Sequence, residues 1–359
     1  MPDETQARKR EHIDICLDLD TRIEFSVKTT WFEYVELIHE ALPELDLQDI
    51  SLKTKFLGRE FQLPIIIEGM TGGTAKAYEI NRNLAEAAEK LGIPLGLGSQ
   101  RAALDNPDLK DTYKIARETA PNVFLIGNLS GVQLAKEGVS AAEKAVEMIE
   151  ANALAIHLNS LQELVQPEGT TTFRRILESI RKAAEKLSVP IIVKEVGTGI
   201  SGETAKKLAK AGVKAIDIAG AGGTNWVKIE LERARGEDPR KFSLGEVFME
   251  WGIPTAASLL EVSSAVGDVE IIASGGIRSG LQVAKALALG ADMVGIAKPL
   301  LRPATQGPEA VTNFLNDIAE QLKAAMFLTG SRTISDLKKA DYVLLGPLLE
   351  WIRQRLKKL

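Results

Sequence analysis

The sequence has few of the residues that hold proteins together through covalent bridges or structural metals. It contains one cysteine, Cys16, and three histidines among its 359 residues. A single cysteine cannot form an internal disulfide, and such sparse use is typical of a protein in the reducing cytoplasm. A structural zinc site is not expected, because it needs several cysteine or histidine ligands close together.

The sequence also lacks long apolar runs and a strong excess of one charge. No uninterrupted apolar stretch reaches the ~18 residues that a membrane-spanning helix needs. The first residues, "MPDETQARKREHIDICLDLD", are too polar for a secretory signal. Lysine and arginine number 44 against 49 aspartates and glutamates, a net charge of −5, whereas nucleic-acid-binding proteins usually carry a basic excess. We therefore expect a cytoplasmic globular protein that binds neither nucleic acid nor membranes.

What the chain does contain is a repeated unit of an apolar run, a polar or glycine-rich turn and an amphipathic segment. Runs this short and apolar are typical of parallel strands that are buried on both faces. The runs are "PIIIEGM" from Pro64, "PLGLGSQ" from Pro94, "VFLIGNL" from Val123, "ALAIHLN" from Ala153, "PIIVKEV" from Pro190, "AIDIAGA" from Ala215, "EIIASGG" from Glu270 and "MVGIAKP" from Met293. Eight strand–helix units predict an α/β fold of the (β/α)8, or TIM barrel, type.

The predicted barrel divides the chain into three parts. We interpret residues 1–63 as an N-terminal arm and lead-in segment, residues 64–301 as the barrel, and residues 302–359 as a C-terminal helical extension. The connector after the sixth run is longer than the others. We interpret its residues 226–252 as an inserted loop or lid.

Polar side chains follow most of the apolar runs. In this fold the strands end at one common face, and the active site lies there. One polar residue after a strand is usually a solvated strand end, but so many together favour a shared pocket. The candidate positions are Met70, Thr71, Gly72, Ser99, Arg101, Asn128, His157, Gln162, Glu163, Lys194, Thr224, Gly275 and Lys298.

Two glycine-rich turns, "ASGGIRSG" at 273–280 and "GIAKPL" at 295–300, favour a phosphate site. They follow the seventh and eighth runs, where phosphate commonly binds in such barrels. Gly275 and Gly276 can expose backbone amides to an anion. The helix that starts near Ser279 would direct the positive end of its dipole toward the same anion.

The segment "GTGISG" at 197–202 matches the dinucleotide-binding pattern, with Asp217 further along the chain. We favour another role, because the segment lies in the fifth of eight similar units. The run before it also contains Lys194, and a charged side chain in a buried strand needs a functional partner. The glycines are expected to form a tight turn beside a bound ring.

Several segments together carry a family resemblance. They are, in chain order, "RKREH", "GMTGG", "GSQRAAL", "GNL", "HLNSLQE", "VKEVGTGIS", "AGAGGTNW" and "ASGGIRSG". The combination resembles the type 2 isopentenyl-diphosphate isomerases, which are flavin-dependent barrel enzymes. The resemblance implies conversion of isopentenyl diphosphate to dimethylallyl diphosphate in isoprenoid biosynthesis. It also implies FMN in its reduced form, NADPH as the reductant, Mg2+, and a homo-oligomer of tetramer size or larger.

The same resemblance implies which residues hold FMN. Lys194 is expected beside the pyrimidine edge of the flavin, where its positive charge would favour an anionic reduced ring. The ring and ribityl chain are expected to contact Met70, Thr71, Gly72, Ser99, Asn128 and Thr224. The phosphate is expected to contact Gly275, Gly276, Arg278, Ala297 and Lys298.

The resemblance also implies the substrate and metal ligands. Cations suit a diphosphate, and those expected here are Arg8, Lys9 and Arg101, with Ser99, Gln100, His12 and His157 as hydrogen-bond donors. Glu163 is expected to bind Mg2+, which commonly takes one carboxylate together with waters and phosphate oxygens. Gln162 is expected to position the hydrocarbon end or relay a proton. The predicted catalytic set is Gln162, Lys194 and His157.

Two other functions stay open on the sequence alone. An FMN-dependent oxidoreductase on the same barrel, such as a 2-hydroxy-acid oxidase or a dihydroorotate-type dehydrogenase, needs a base beside the flavin. No cysteine follows any run, and His157 lies next to the expected metal ligand, which disfavours this alternative. A non-enzymatic phosphate-binding barrel would be colourless and would need no reductant.

Overall fold

A computed structural model describes residues 2–22, 28–233 and 238–356 of the chain. The part before the barrel begins with helix α1 (Pro2–Arg22) and strand β1 (Val35–Leu37). An antiparallel hairpin of β2 (Thr54–Phe56) and β3 (Arg59–Phe61) follows. Phe56 and Phe61 of this hairpin are buried in one cluster with side chains of the barrel interior. The hairpin therefore closes the end of the barrel at which the strands begin.

Eight parallel strands form a closed barrel, in the order predicted from the sequence. Each corresponds to one of the apolar runs, and neighbouring strands pair in register, for example His157 with Lys194. Their side chains are almost all buried, because helices cover the outside and the interior is packed. The strands are β4 (Ile65–Ile67), β5 (Leu95–Gly96), β6 (Leu125–Ser130), β7 (Ala153–His157), β8 (Ile191–Lys194), β9 (Ala215–Asp217), β10 (Glu270–Ala273) and β11 (Met293–Ile296).

Helices connect the strands, and local sequence signals fix several of their ends. The hydroxyl groups of Thr74 and Ser201 accept hydrogen bonds from the amides of Ala77 and Thr204, as N-caps do. Gly92 ends the first of these helices in the left-handed conformation, with φ 63°. The helices are α2 (Ala75–Leu91), α3 (Arg101–Asp105), α4 (Asp111–Thr119), α5 (Gly131–Glu137), α6 (Val139–Ile149), α7 (Ser160–Val165), α8 (Ile176–Lys186), α9 (Gly202–Lys210), α10 (Trp226–Arg233), α11 (Pro239–Phe248), α12 (Thr255–Ala265), α13 (Gly280–Ala288) and α14 (Leu301–Gln306).

The chain after the barrel contains α15 (Pro308–Leu328), α16 (Ile334–Leu337), β12 (Tyr342–Leu344) and α17 (Gly346–Arg355). This part is helical except for β12, which pairs antiparallel with β1. Helix α17 packs on α12, where Arg355 and Trp351 both donate to the buried carboxylate of Glu261. The two ends of the chain are thereby joined on the outside of the barrel.

The segment 226–252, predicted as a loop or lid, is mainly helical. It contains α10 and α11, and residues 234–237 lie outside the described residues. Val227 and Leu231 of α10 are buried against Leu161 and Val165 of α7. The loop prediction was wrong because these apolar positions have helical spacing that the polar stretch after Arg233 obscures. No described helix is long and apolar enough to cross a membrane.

Glu261→Gln is expected to lower the free energy of unfolding by about 2 kcal/mol at pH 7, because it removes the buried charge to which Arg355 and Trp351 donate. Burial would raise the pKa of Glu261, but hydrogen bonds from Arg355, the Gly202 amide and Trp351 outweigh it and lower the pKa. A lowered pKa in the folded state means that the stabilisation is present above the unfolded pKa and is lost as the pH falls. Denaturant unfolding at pH 7 and pH 4 would measure both effects.

Glu178→Gln on α8 is the matched control for this substitution. Glu178 is exposed and pairs with the exposed Arg181, so solvent screens the interaction. We expect this variant to unfold at the midpoint of the unmodified protein. Equal midpoints for the Glu261→Gln and Glu178→Gln variants would contradict the importance assigned to the α12–α17 contact.

Candidate active site

The carboxyl ends of the barrel strands surround one cavity of about 590 Å³. This volume lies within the ~300–1,000 Å³ that small-molecule sites usually have. Helix α1 forms part of its wall, since Arg8, Lys9, His12, Ile13 and Cys16 all line it. The cavity is therefore built by the barrel and by the segment that precedes it.

Most of the residues that the sequence predicts for the site line this cavity. The strand ends and the turns after them contribute Met70, Thr71, Ser99, Asn128, His157, Gln162, Glu163, Lys194 and Thr224. The last two turns contribute Gly275, Gly276, Arg278, Ala297 and Lys298. The expected diphosphate cations Arg8, Lys9 and Arg101 and the expected donor His12 also lie there.

Gly72 and Gln100, which the sequence predicts to contact ligands, are not among the residues that line the cavity. A Cβ atom on Gly72 would collide with the ring of the buried Tyr113, so this glycine serves packing. Gln100 is fully buried away from the cavity. Its side chain accepts from the Asn128 amide at 2.9 Å and donates to the Ala145 carbonyl at 2.8 Å. Gln100 therefore holds the β5–α3 turn in place behind the site.

A buried cluster of three charges lies at the bottom of the cavity. Lys194 Nζ is 2.6 Å from Asp217 Oδ2 and 3.5 Å from Glu68 Oε2. Burial alone would lower the pKa of Lys194, but the two carboxylates outweigh it and raise the pKa. Burial and the charge of Asp217 raise the pKa of Glu68 to about 7, against the opposing effect of Lys194. The two carboxylates thus keep Lys194 protonated, and the lysine side chain also lines the cavity.

Glu68 and Asp217 were missed as partners of Lys194, although both carry the signal that singled out the lysine. Each is a charged residue at the end of an apolar run, in "IIIE" and in "AID". Asp217 belonged to the rejected dinucleotide pattern. Its buried carboxylate accepts from Ser274 Oγ at 2.5 Å and pairs with Lys194, so it has no role in binding a ribose.

The glycine-rich turns after β9 and β10 pack backbone against backbone. Gly275 and Gly276 have φ of 98° and 81°, which favour glycine. A Cβ atom on Gly275 would collide with the backbone of Gly220, and one on Gly276 with that of Gly222. The start of α13 does not face the cavity, because the Gly280 amide donates to Gln321. The turn itself, rather than the helix start, is therefore the candidate anion site.

The imidazole of His157 is oriented by Asn128. Asn128 Nδ2 donates to the Leu97 carbonyl, so its Oδ1 faces His157 Nδ1 at 2.8 Å. The ring therefore carries its proton on Nδ1 and leaves Nε2 as an acceptor. Burial, with the charges of Lys194 and Lys9, lowers the pKa of His157 to about 3. As a neutral ring it accepts hydrogen bonds at Nε2, and the donor role predicted for it would require protonation.

Three side chains of the "HLNSLQE" segment meet at one edge of the cavity. Asn159 Nδ2 is 3.3 Å from Gln162 Oε1 and 3.2 Å from Glu163 Oε1. Glu163 Oε2 also accepts from the Thr170 amide at 2.8 Å. The buried Asn159 Oδ1 has no hydrogen-bond partner among the described residues. The carboxylate oxygens of Glu163 are ligands that suit a hard divalent cation.

Glu230 of α10 joins two predicted site residues and was itself missed. Its buried Oε1 lies 3.0 Å from His12 Nε2 and accepts from Gln162 Nε2 at 2.9 Å. Nothing in the sequence marked Glu230, because the segment around it was interpreted as a loop. The contact connects helix α1 to the end of the β7 unit across the cavity.

Helix α1 inserts Lys9 into the mouth of the barrel. Lys9 Nζ donates to the Ser99 carbonyl at 2.8 Å and to the Tyr113 hydroxyl at 2.5 Å. Burial lowers the pKa of Lys9 to about 7, with repulsion from Arg8 and Arg101 adding to the shift. These three cations, all on the cavity wall, would gain charge neutralisation from an anionic ligand.

Solved structures of flavin enzymes have the same fold. A putative lactate oxidase from Pediococcus acidilactici aligns with a TM-score of 0.70 at 17% identity, over 96% of this chain and 94% of that one. A mandelate oxidase variant with a monooxide FMN adduct aligns with a TM-score of 0.64 at 19% identity, over 94% of this chain and 100% of that one. At such low identity these similarities show the fold alone.

Sequence relatives are much closer. The profile of the FMN-dependent dehydrogenase family matches residues 117–344. The isopentenyl-diphosphate delta-isomerase of Halobacterium salinarum is 49% identical, with 98% of this chain and 97% of the relative covered. Those of Methanothermobacter thermautotrophicus and Pyrococcus furiosus are 49% and 47% identical, covering 97% and 98% of this chain and 96% and 90% of the relatives. The chain therefore belongs to the family of isopentenyl-diphosphate delta-isomerases, of the type built on an FMN-dependent barrel.

Proposed function

We propose that this protein converts isopentenyl diphosphate to dimethylallyl diphosphate, in isoprenoid biosynthesis, with FMN in its reduced form. The observation that carries the proposal is one cavity with two unlike walls. One wall is a glycine-lined turn region beside the buried Lys194 cluster, and the other presents Arg8, Lys9 and Arg101. The first suits a flavin phosphate and ring, and the second suits a diphosphate.

The glycine turns and the charge cluster fit FMN. Gly275 and Gly276 line the cavity, and a Cβ atom at either would collide with the neighbouring turn, so only glycine lets the two turns lie backbone to backbone there. Reduced FMN supplies an electron-rich ring and an exchangeable ring proton, which suit proton transfer to and from an unactivated alkene. The ring and ribityl chain would contact Met70, Thr71, Ser99, Asn128 and Thr224, and the phosphate would contact Gly275, Gly276, Arg278, Ala297 and Lys298.

Lys194 would lie next to the flavin ring as a fixed positive charge. Asp217 and Glu68 keep it protonated and prevent the side chain from moving away. A cation in this position lowers the free energy of an anionic reduced ring more than that of a neutral oxidised ring, because the site is buried. The buried carboxylates would thus act on the flavin through the lysine.

The other wall would hold the diphosphate and Mg2+. Arg8, Lys9 and Arg101 supply the positive charge, with Ser99 and His12 as donors, and His157 would join them only in its protonated form. Glu163 would bind the metal; its Oε1 is 3.2 Å from Asn159 Nδ2, and its Oε2 accepts from the Thr170 amide. Among the described residues no group of three or more histidine, cysteine or acidic side chains is placed to hold a metal. This is consistent with a metal that depends on substrate oxygens for its remaining ligands.

Gln162 would position the hydrocarbon end of the substrate. Its amide is held on both sides, by Asn159 and by the Glu230 carboxylate. A neutral amide is a poor proton carrier, so Gln162 would act as a fixed contact or relay between substrate and Glu230. A side chain fixed in this way supports orientation of the reacting carbons.

An FMN-dependent oxidoreductase on the same barrel is less well supported. The 2-hydroxy-acid oxidases share the fold at under 25% identity, whereas named isomerases share 44–49% over nearly the whole chain. A base for hydroxy-acid oxidation would have to be His157 or His12. His157 is buried with a strongly lowered pKa, and His12 bonds Glu230.

We further propose NADPH as the reductant, a cytoplasmic location and a homo-oligomer of tetramer size or larger. The single cysteine supports a reducing compartment. Exposed apolar side chains at Ile38, Leu328, Tyr342 and Val343 lie around the β1–β12 ribbon and support association with another subunit.

The activity is tested by anaerobic incubation of the reduced, FMN-loaded protein with isopentenyl diphosphate and Mg2+ in deuterated water. We expect deuterium in the dimethylallyl diphosphate, because proton addition and removal exchange with solvent. Mass spectrometry of the product measures it. Equal turnover by the oxidised, metal-free protein would rule the proposal out.

Lys194→Met is expected to weaken the binding of reduced FMN about tenfold more than that of oxidised FMN, a difference of ~1.4 kcal/mol. The substitution removes the lysine cation that would favour the anionic reduced ring. Anaerobic titration of the apoprotein with each form measures the ratio. Lys298→Met is the control, and it should weaken both forms equally because the phosphate does not change on reduction. An unchanged ratio in Lys194→Met would remove the role assigned to this lysine.

Glu163→Gln is expected to raise the Mg2+ concentration for half-maximal turnover about tenfold or more, because the amide loses the charge that attracts the ion. FMN content should not change. Glu143→Gln, an exposed substitution on α6, serves as the control. A normal Mg2+ dependence in Glu163→Gln would exclude this carboxylate as the metal ligand.

A further inference from the structure

We propose that Arg233 is a positioning residue that holds helix α1 as a lid over the cavity. Its guanidinium lies at the end of α10 and pairs with carboxylates from three different segments. Nη1 is 2.5 Å from Glu230 in α10 itself, Nε is 3.0 Å from Glu11 in α1, and Nη2 is 2.9 Å from Glu168 in the loop after α7. Each of the three guanidinium nitrogens of Arg233 therefore pairs with a different carboxylate.

We call Arg233 and its three carboxylate partners, Glu11, Glu168 and Glu230, the clasp. Helix α1 is connected to the clasp by two routes. Glu11 binds Arg233 directly, and the neighbouring His12 binds Glu230, whose other oxygen is held by Arg233. The third partner, Glu168, also pairs with Arg8 at 3.6 Å. The clasp therefore fixes the helix that presents Arg8, Lys9 and His12 to the cavity.

Helix α1 is also held by the burial of Ile13 and Cys16 in the core and by further polar contacts. The pair of Asp14 with Lys76 is exposed on both sides and is screened by solvent. Lys9 binds Ser99 and Tyr113, but the burial of its cation opposes this contact. Arg302 donates to the Leu17 carbonyl at 3.0 Å. Arg233 is only 10% exposed and Glu230 is fully buried, so breaking their pair leaves an uncompensated buried charge.

The arrangement requires arginine rather than lysine. A planar guanidinium directs donors along three fixed directions, whereas an ammonium is a point charge on a flexible stem. Lysine at position 233 would keep the pair with Glu230 and lose the simultaneous contacts to Glu11 and Glu168. We therefore expect the Arg233→Lys variant to fold normally but to hold α1 less firmly.

This proposal rests on the proposed function only in that α1 is taken to cover a substrate site. The test of the proposal needs no substrate. Cys16 is the single cysteine of the chain, and it lies on α1 with 8% exposure, facing the cavity. Because little of Cys16 is exposed, movement of α1 away from the barrel would raise the rate at which a thiol reagent reaches it. The rate at which 5,5′-dithiobis(2-nitrobenzoic acid) modifies Cys16 in the FMN-loaded protein thus reports how often the lid opens.

We expect Arg233→Gln to raise this rate about tenfold or more over the unmodified protein, which corresponds to ~1.4 kcal/mol. Arg233→Lys and Glu11→Gln should give smaller increases, of a few-fold, because each keeps part of the clasp. Arg181→Gln on α8 is the matched control. It removes an arginine with two carboxylate partners far from α1 and should label at the unmodified rate.

A rate in Arg233→Gln equal to that of the control, with unchanged circular dichroism and FMN content, would overturn the proposal. If Arg233→Gln does not fold, unmodified rates in both Arg233→Lys and Glu11→Gln would overturn it. In steady-state assays, Arg233→Lys should raise KM for isopentenyl diphosphate about tenfold and change kcat less. A protein without isomerase activity would contradict the proposed function and leave the labelling result standing.

Discussion

Closure of eight parallel strands into one barrel is the constraint on which the rest of this structure depends. Parallel strands that close on themselves must end at the same mouth, so residues more than two hundred positions apart in the chain become neighbours. Glu68 follows the first strand and Asp217 the sixth, yet both reach Lys194 at the end of the fifth. The barrel thus concentrates charges in a space that no single segment of the chain could form.

This concentration has an energetic cost that the structure offsets locally. Removing an ion from water costs several kcal/mol even after relaxation, and three are buried together at the bottom of the cavity. Lys194 is paired with two carboxylates, and Ser274 donates to the nearer one. The net charge of the cluster is therefore small, while a cation stays next to the ligand space. In the proposed reaction, the Lys194 cation next to the ring would favour an anionic reduced ring over a neutral one.

The segments outside the barrel strands contribute side chains to the mouth of the cavity. The lactate and mandelate oxidases share the barrel with this chain. Here α1 places three basic or imidazole side chains at the mouth, and Glu230 of α10 holds one of them, His12. The proposed chemistry at the bottom of the cavity and the proposed recognition at its mouth would thus be carried by different parts of the chain.

The sequence by itself determined the barrel and most of the wall of the cavity. Short apolar runs that repeat with amphipathic segments between them are typical of buried parallel strands, and polar residues directly after such strands lie at the common mouth of a barrel. This pattern predicted that Lys194, His157 and Glu163 share one cavity, which they line. Local spacing carries no information on contacts between distant segments. Only the tertiary structure therefore decided that Gln100 turns away from the cavity, that Glu230 reaches His12 and Gln162, and that Gly72 makes room for Tyr113. Those three depend on where helices pack against the barrel, which is set by the summed burial of many side chains and not by any motif.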